Sequence, residues 1–438
     1  MLVESRSEMS KFEGKKLLFL GSNVGTLDMI RYAKENGAYT IVADYLPKEK
    51  SIGKQYADSQ VKISTGDLEC LKNYIVKEGV DGVLAGVSEF NLLNAMNLCN
   101  FFSFPFYCTK EQWDEIESKD NFRELCMKHG VPCPKTYFVG NELTEETLSN
   151  ITFPVIVKPV DGSSSVGITI CRNETSLFEA VIEARDSSNA GKIIIEDFVE
   201  GEEFTAHYTI VNGHASLSCV DNRVPVAVHG GDVTTIPVAR VYPSTFLNEY
   251  ISQVNSKMIN LCQSIGLNTG ILFIQGLYDK KRNVFNIFEA GLRCAGEAPY
   301  RFIERINGIS FMNNIVDYSL LGKVNDFDVS KEDPHFKGKI CCVTSFVSKG
   351  GRIGKIINYD KTAHVLKSIV DSECRYHEGD VTPNGNTLRQ IVIRFVLICD
   401  SEEQLIDDVE YINKSVKVLN VNGEDMCYKF DARSFFNH

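Results

Sequence analysis

Residues 153–170, FPVIVKPVDGSSSVGITI, decide how this chain is interpreted. Residues 153–157 and 166–170 are short, apolar and rich in β-branched side chains, so they are predicted to pair as a hairpin. The small residues 161–165 between them would place backbone N–H groups and hydroxyls around an anion. Lys158 ends the first strand and would direct its ammonium to the same place. The stretch predicts a phosphate-binding hairpin, although an ordinary hairpin with a surface lysine fits the same residues.

Composition narrows the classes of function. A chain of 438 residues with 43% hydrophobic content is typical of a globular protein of about three domains. The net charge of -12 argues against binding of nucleic acid through phosphate contacts. The 14 cysteines have no regular spacing, and residues 1–14 lack the apolar core of a signal peptide. Because no apolar run is long enough to span a bilayer, we expect a cytoplasmic protein without membrane or nucleic-acid partners.

The first 118 residues alternate short apolar strands with helices. Strands are predicted at residues 15–20, 40–43 and 82–85, and each is followed by a segment with helical spacing. This order is typical of a parallel sheet covered by helices. The turn GSNVG at residues 21–25 lacks the GxGxxG pattern, so we favour a tight strand-to-helix turn over a dinucleotide site, despite Asp44 about 20 residues beyond it.

The remaining sequence indicates two further domains. Residues 119–129 have helical spacing, and residues 270–278 and 284–289 are predicted to pair across a polar turn. After residue 337, three strand-like runs and a helix at residues 401–416 indicate a small α+β domain. The predicted domains are an α/β domain at residues 1–118, a central domain at residues 119–332 with a phosphate-lid lobe at about 135–198, and an α+β domain at residues 333–438.

Four groups follow one another along the chain. They are Lys158 with its small-residue loop, IIIEDFVEGEEF at residues 193–204, GILFIQ at residues 270–275 and FEAGLR at residues 288–293. In order and spacing they resemble the ATP-grasp superfamily, in the branch that includes carbamoyl phosphate synthase and biotin carboxylase. The resemblance covers most of the chain. It implies an ATP-grasp fold, α/β and α+β, with an N-terminal parallel α/β domain and a small C-terminal α+β domain.

The resemblance also implies the residues of a nucleotide site. Two lysines would bind the phosphates, three serines would cover the γ-phosphate, and a hinge would read the adenine edge through its backbone. These residues are Lys119 and Lys158, then Ser163, Ser164 and Ser165, and then Glu196, Asp197, Phe198 and Val199. Glu203 stands where the family holds the ribose hydroxyls, although a solvated charge in an acidic run is the alternative.

Metal binding is implied by the next two motifs. Glu289 matches a magnesium ligand, and Gln275 would supply a second metal position for Mg²⁺, with Mn²⁺ as the alternative ion. Arg293 matches the arginine that stabilises an acyl phosphate, while a structural ion pair between Glu289 and Arg293 is the plain alternative. Many members of the family have Glu at the position of Gln275 and Asn at the position of Gly291. We therefore expect one well-made metal position and a second that is weak or differently built.

The implied reaction is ATP-dependent ligation. A small-molecule carboxylate attacks the γ-phosphate, and an amine or similar nucleophile then displaces phosphate from the acyl phosphate, with release of ADP. Lys158 and Arg293 would be the catalytic residues. In this family the architecture is often dimeric, so a homodimer is a further expectation. The carboxylate and the nucleophile are not identified by the sequence.

The stretch from residue 221 to residue 240 reads as a loop that contacts substrate. It contains Arg223, His229, the pair Gly230-Gly231, and Arg240, and either arginine would suit a substrate carboxylate. Two other functions stay open. One is a bicarbonate-using carboxylase or a carbamoyl-phosphate-type enzyme, with Glu297 at the position of the carboxylase base. The other is an ATP-binding protein whose catalysis has degraded, which the departures at residues 275 and 291 would explain.

Overall fold

The N-terminal region is a parallel sheet packed between helices, as predicted. The computed structural model describes residues 10–161, 166–227, 235–324, 328, 331–385 and 387–437. The sheet has the order β3-β2-β1-β4; β1, β2 and β4 are largely buried, whereas the edge strand β3 is not. The elements are β1 (Lys16–Leu20), α1 (Thr26–Glu35), β2 (Tyr39–Ala43), α2 (Ile52–Tyr56), β3 (Ser59–Val61), α3 (Leu68–Glu78), β4 (Gly82–Ala85) and α4 (Glu89–Phe102).

The predicted hairpin lies in a second sheet, which is antiparallel. In this sheet Val157 pairs with Thr169, so the strand pairing of the hairpin is confirmed. The strand order is β5-β8-β6-β7, and helix α8 covers one face of the sheet through Leu177 and Val181. The elements from here are α5 (Lys110–Glu117), α6 (Lys119–His129), β5 (Thr136–Gly140), α7 (Glu145–Asn150), β6 (Val155–Pro159), β7 (Thr169–Cys171), α8 (Glu174–Asp186) and β8 (Ile193–Asp197).

A third sheet, also antiparallel, has the order β10-β9-β13-β14. Its apolar side chains, such as Tyr208 and Ile274, share one hydrophobic core with Phe19 of the N-terminal sheet. This shared core fixes the third sheet against the N-terminal region. The elements are β9 (Glu202–Val211), β10 (His214–Val220), α9 (Leu247–Tyr250), a π-helical turn (Ile251–Asn255), α10 (Ser256–Ser264), β13 (Gly270–Asp279), β14 (Val284–Gly291), α11 (Tyr300–Asn307) and α12 (Phe311–Leu321).

The expectation of a loop between residues 221 and 240 was wrong for residues 222–226 and 236–240. Strands β11 (Asn222–Val226) and β12 (Ile236–Tyr242) form there and pair around a bulge at which Pro225 faces Pro237. The two prolines hid the strand pattern, because proline is normally confined to edges and bulges. Strand β12 is buried throughout and pairs with a strand about 100 residues later in the chain. A pairing between such distant segments cannot be predicted from the local sequence.

The C-terminal region contains two further sheets. The larger has the order β11-β12-β15-β19-β17, with β21 on β15, and the smaller has the order β18-β16-β20. Because β11 and β12 precede residue 333, the larger sheet contains strands from both sides of the domain boundary predicted at residues 332–333. That boundary stays a prediction. The elements are β15 (Ile340–Ser348), β16 (Gly351–Ile357), α13 (Tyr359–Val365), β17 (Ile369–Cys374), β18 (Val381–Thr382), β19 (Ile391–Cys399), α14 (Glu402–Ser415), β20 (Lys417–Asn420), β21 (Cys427–Tyr428) and α15 (Ala432–Phe436).

Within the described ranges, none of the helices combines the length and the apolar character that crossing a membrane requires.

Candidate functional site

A buried ion cluster joins the second sheet, β5-β8-β6-β7, which we call the lid sheet, to helix α6. Glu196 on β8 accepts a hydrogen bond from Nε of Arg123 at 2.7 Å and pairs with Nζ of Lys158 at 2.5 Å. Burial alone would raise the pKa of Glu196, but Lys158 and Arg123 hold this pKa below its usual value. We call Arg123, Lys158 and Glu196 the lid cluster. Its two cations exceed its one anion, so it suits an anionic ligand.

The second predicted lysine lies beside the lid cluster. Lys119 begins α6, and its backbone N–H donates to the carbonyl of Val160 at 3.3 Å, which joins the start of the helix to the end of β6. Burial lowers the pKa of Lys158, and the charges of Arg123 and Lys119 lower it further. The structure therefore brings Lys119 and Lys158 together. Ser163, Ser164 and Ser165 lie outside the described residues.

The segment after Glu196 is held to the lid sheet by its backbone. The N–H of Asp197 donates to the carbonyl of Lys135 at 2.9 Å, and the N–H of Phe198 donates to the carbonyl of Pro154 at 3.1 Å. Two of the predicted hinge residues thus already use their backbone donors. Among the described residues, the N–H of Val199 has no hydrogen-bond partner, so it is the donor in this segment that a ligand can use.

Glu203 lies beyond the hinge on β9 and forms an ion pair. Its Oε2 lies 2.6 Å from Nη1 of Arg223, which also donates to Oγ1 of Thr235 at 2.7 Å. The structure therefore brings together a predicted ribose-binding residue and a predicted substrate-binding residue. His229, Gly230 and Gly231, the other substrate candidates from this stretch, lie outside the described residues.

The two predicted metal ligands are neighbours. Gln275 on β13 and Glu289 on β14 are directly paired in register, and both are partly exposed. Across the ranges that the structure describes, no three side chains of His, Cys, Asp or Glu are placed to hold a metal ion by themselves. An ion at this position would need further oxygen ligands, and nucleotide phosphates are oxygen ligands of the kind that Mg²⁺ prefers.

Two carboxylates that the sequence did not point to surround this position. Burial, and then the charge of Glu89, raises the pKa of Glu117 to about 8, and Glu289 adds to the same effect. Oε1 of Glu117 accepts a hydrogen bond from the N–H of Leu292 at 3.0 Å. This concentration of carboxylates, together with the amide oxygen of Gln275, is chemically suited to a hard cation such as Mg²⁺.

Gly291, where many members of the family have asparagine, is closely packed. A Cβ atom at this position would overlap the ring of Phe273 and would lie 3.1 Å from Oε1 of Glu117. An asparagine side chain therefore has no room here, because Phe273 and Glu117 take the space.

Arg293 follows Gly291 and faces the N-terminal region. Its Nη2 lies 2.5 Å from Oε1 of Glu89, the first residue of α4, and its guanidinium lies 4.8 Å from the centre of the Phe273 ring. Burial alone would lower the pKa of Arg293, but Glu89 and Glu117 raise it. The close ion pair of Arg293 is thus formed with Glu89, and Glu289 acts on it only through its more distant charge.

A second group of buried charges surrounds Arg240 on β12. Nη1 of Arg240 donates to Oδ2 of Asp221 at 2.6 Å and to Oγ1 of Thr205 at 2.7 Å, and its Nη2 lies 2.9 Å from Oε1 of Glu297. Burial opposes the ionisation of Glu297, but Arg240 and Arg394 lower its pKa to about 2. Glu297 is therefore a carboxylate at neutral pH and a weak base.

His207 and Arg394 complete this group, and neither was predicted from the sequence. Burial lowers the pKa of His207 to about 3, and neither ring nitrogen has a hydrogen-bond partner among the described residues. Arg394 on β19 donates from Nη1 to the carbonyl of Gly296 at 2.9 Å, and burial lowers its pKa to about 10. We call this group the core cluster, and its members are His207, Asp221, Arg240, Glu297 and Arg394.

Comparison with known proteins finds similarity over part of the chain. Residues 131–229 match the family model described as the D-ala D-ala ligase C-terminus. The carbamoyl phosphate synthase large chain of Clostridium beijerinckii is 25% identical over 75% of this chain and 32% of its own length. The chain thus spans about a third of that relative, and less than two thirds of the other such chains it matches.

Solved structures extend the likeness to nearly the whole chain. L-amino acid ligase from Bacillus licheniformis has a TM-score of 0.73 at 14% identity, over 93% of this chain and 99% of its own. The biotin carboxylase domain of 2-oxoglutarate carboxylase from Hydrogenobacter thermophilus, solved as a dimer with MgADP and bicarbonate, has a TM-score of 0.73 at 15% identity, over 92% of this chain and 90% of its own. Together with the match over residues 131–229, these likenesses show that the chain has the ATP-grasp fold.

Proposed function

We propose that the protein is an ADP-forming ligase that activates a carboxylate as an acyl phosphate for attack by an amine. The lid cluster is the observation that carries this proposal. It places two buried cations around one carboxylate, beside the start of a helix that carries another lysine. An excess of buried positive charge is costly unless an anion binds to it, and the phosphates of ATP are such an anion.

In this proposal the nucleotide lies between the lid sheet and the third sheet. Lys119 and Lys158 bind phosphate oxygens, and Ser163, Ser164 and Ser165 cover the γ-phosphate. The adenine edge accepts a hydrogen bond from the N–H of Val199. Glu196, Asp197 and Phe198 hold the hinge in place through the contacts described above. Glu203 binds the ribose hydroxyls, and it exchanges part of its ion pair with Arg223 to do so.

Gln275 and Glu289 would hold Mg²⁺, or Mn²⁺ in its place, against the phosphates. An ion there supplies positive charge that screens the phosphate oxygens during transfer. Support comes from the paired register of the two residues and from the neighbouring carboxylates Glu89 and Glu117, whose mutual repulsion a cation would relieve. The neutral amide of Gln275 and the missing side chain at Gly291 make this position weaker than a fully carboxylate one.

The chemistry consists of two displacements. A carboxylate oxygen attacks the γ-phosphorus, and the bond to the β-phosphate oxygen breaks, so ADP leaves with the electron pair. The amine nitrogen then attacks the acyl carbon, loses a proton and expels phosphate. Arg293 donates hydrogen bonds from its planar guanidinium to the acyl phosphate. To do so, it breaks its ion pair with Glu89 and binds the phosphate oxygens instead.

The alternative of a bicarbonate-using carboxylase or carbamoyl-phosphate-type enzyme has support from the names of several relatives. It would use Glu297 as a base, yet the pKa of this carboxyl is lowered to about 2 by Arg240 and Arg394. A base of that strength removes a proton slowly near neutral pH. This observation favours the amine ligase. The remaining alternative, an ATP-binding protein whose catalysis has degraded, is the third possible outcome of the test below.

The proposal also covers the size of the substrates, the cellular location, the oligomeric state and the domain boundaries. Substrates are small molecules, the location is the cytoplasm, and a homodimer is the assembly to look for by light scattering. The domain limits at residues 118 and 332 are likewise proposed, and limited proteolysis would test them.

A phosphate-release screen tests the function. Pairs of small carboxylates and amines, including amino acids, are supplied with ATP and magnesium, and bicarbonate with or without biotin forms a separate arm. We expect release of ADP and phosphate that depends on both substrates, and its loss in Lys158→Ala and Arg293→Ala. Lys192→Ala, which changes an exposed lysine beside the same sheet, is the matched control.

Equal phosphate release from the wild type, Lys158→Ala and Arg293→Ala would overturn the proposal. Release that depends on bicarbonate alone would support the carboxylase instead. ATP binding without turnover in any arm would support degraded catalysis.

A further inference from the structure

We propose that the core cluster binds the charged head group of a free α-amino acid, which serves as one of the two substrates. The inference rests on the proposed function and adds the class of molecule that the site takes. It assigns the carboxylate of the amino acid to Arg240 and Arg394, and its ammonium to Glu297. Arg394 and His207 thereby become substrate-binding residues.

Unused hydrogen-bonding groups are the first support. Nε of Arg240, Nε of Arg394 and both ring nitrogens of His207 are buried without a partner among the described residues. The three residues are only 3%, 7% and 1% exposed, respectively. Leaving a buried donor without a partner is unfavourable, so several in one place indicate that something else binds there. Two guanidinium N–H groups call for an acceptor with more than one oxygen, such as a carboxylate.

Charge balance is the second support. In formal charges, the two carboxylates Asp221 and Glu297 balance the two guanidinium groups of Arg240 and Arg394, so the core cluster is neutral. Adding an anion alone would leave an uncompensated charge in a buried place. A zwitterion avoids this, because its carboxylate and its ammonium cancel. Glu297 is the suitable partner for the ammonium, since it is ionised and lies between the two arginines.

Position is the third support. The ring of His207 lies 6.4 Å from the ring of Phe273, centre to centre, and Arg293 lies 4.8 Å from the centre of the same Phe273 ring. An amino acid held by the core cluster is therefore about one aromatic ring away from the arginine assigned to the acyl phosphate. Arg394 comes from β19, so the C-terminal sheet completes the substrate site.

Binding is measured without turnover, by thermal shift and calorimetry on the full chain. The probes are free L-amino acids, the carboxamide of each, and the matching acid without the amino group. We expect the wild type to bind at least one amino acid, and to bind both of its analogues at least about 100-fold more weakly, because each analogue leaves buried groups unpaired. Ordered water is the alternative occupant of the site, and it predicts no such discrimination.

Three variants assign the contacts. In Arg394→Gln the amino acid and its carboxamide should bind alike, and in Glu297→Gln the amino acid and its deamino analogue should bind alike. Arg389→Gln, an exposed residue just before β19, is the matched control and should discriminate as the wild type does. If Arg394→Gln does not fold, Arg394→Lys replaces it, because lysine keeps the charge but loses the Nε donor.

The inference is overturned if the wild type binds none of the amino acids, if it binds amino acid and carboxamide equally, or if Arg394→Gln and its lysine substitute keep the discrimination of the wild type. Failure of the proposed function would give a different experimental result from failure of this inference. In that case the same preparations would bind no ATP analogue and release no phosphate, whatever the amino acid binding.

Discussion

The lid cluster and the core cluster are both buried groups of charges, yet they differ in balance. In the lid cluster, Arg123 and Lys158 surround a single carboxylate, Glu196, so positive charge is in excess. In the core cluster the charges cancel, but nitrogen atoms of Arg240 and His207 have no hydrogen-bond partner among the described residues. Excess charge suits a phosphate, and unused donors in a neutral frame suit a zwitterion. This difference is the basis for our proposal that ATP binds at the lid cluster and an amino acid at the core cluster.

The largest effect is expected from Glu196→Gln. This change removes the anion between two buried cations and leaves them to repel each other. We expect the free energy of unfolding to fall by about 3–5 kcal/mol, measured by urea titration. Glu200→Gln, four residues along the chain and exposed, is the control and should change it little. A loss below about 1 kcal/mol for Glu196→Gln would mean that the cluster is not held together by charge.

Glu332 is a buried carboxyl beside which the described residues place no cation. Its Oε1 accepts a hydrogen bond from Thr209 at 2.9 Å, and burial raises its pKa to about 7. Because the folded pKa lies above the unfolded one, its contribution to stability is complete below about pH 4.5 and is lost as the pH rises to about 7. At about 1.4 kcal/mol per pKa unit over about 2.5 units, the full loss is about 3.5 kcal/mol.

Glu332→Gln should remove this pH dependence, because glutamine resembles the protonated acid. Unfolding midpoints of the wild type and the variant, measured from pH 4.5 to pH 8, should diverge as the pH rises, with the variant favoured at the upper end. Parallel profiles would show that Glu332 does not change its protonation in this range.

A smaller effect is expected from Asp221→Asn in the core cluster. Burial raises the pKa of Asp221 although Arg240 opposes the rise, so the ionised form already carries a cost. Arg240 would keep Glu297 as a partner after the change. We expect a loss of about 1–2 kcal/mol in the free energy of unfolding, less than for Glu196→Gln. An equal or larger loss would remove the proposed distinction between the two clusters.

The lid cluster is largely visible in the sequence. Lys158 and Glu196 lie in consecutive strand motifs, and strands β6 and β8 are neighbours in the sheet. Arg123 was missed, although it follows Lys119 by four residues and therefore shares its face of α6. The parallel N-terminal sheet and the hairpin were predictable for the same reason, because their signals lie within short windows.

The core cluster was not predictable, because distant segments build it. His207 comes from β9, Arg240 from β12, and Arg394 from β19, and no local spacing links them. Two prolines also disguised the strands on which Arg240 depends, so the stretch read as a loop. Glu89 and Glu117 were missed in the same way, since they meet Arg293 only once the N-terminal region packs against β14.

Equilibrium binding of a non-hydrolysable ATP analogue with magnesium tests the central claim most directly. The account predicts that the wild type and Lys192→Ala bind with the same affinity, and that Lys158→Ala binds at least about 10-fold more weakly, because a buried charge-assisted contact to phosphate is lost. Equal affinity of all three proteins, or no binding by the wild type, would contradict the account.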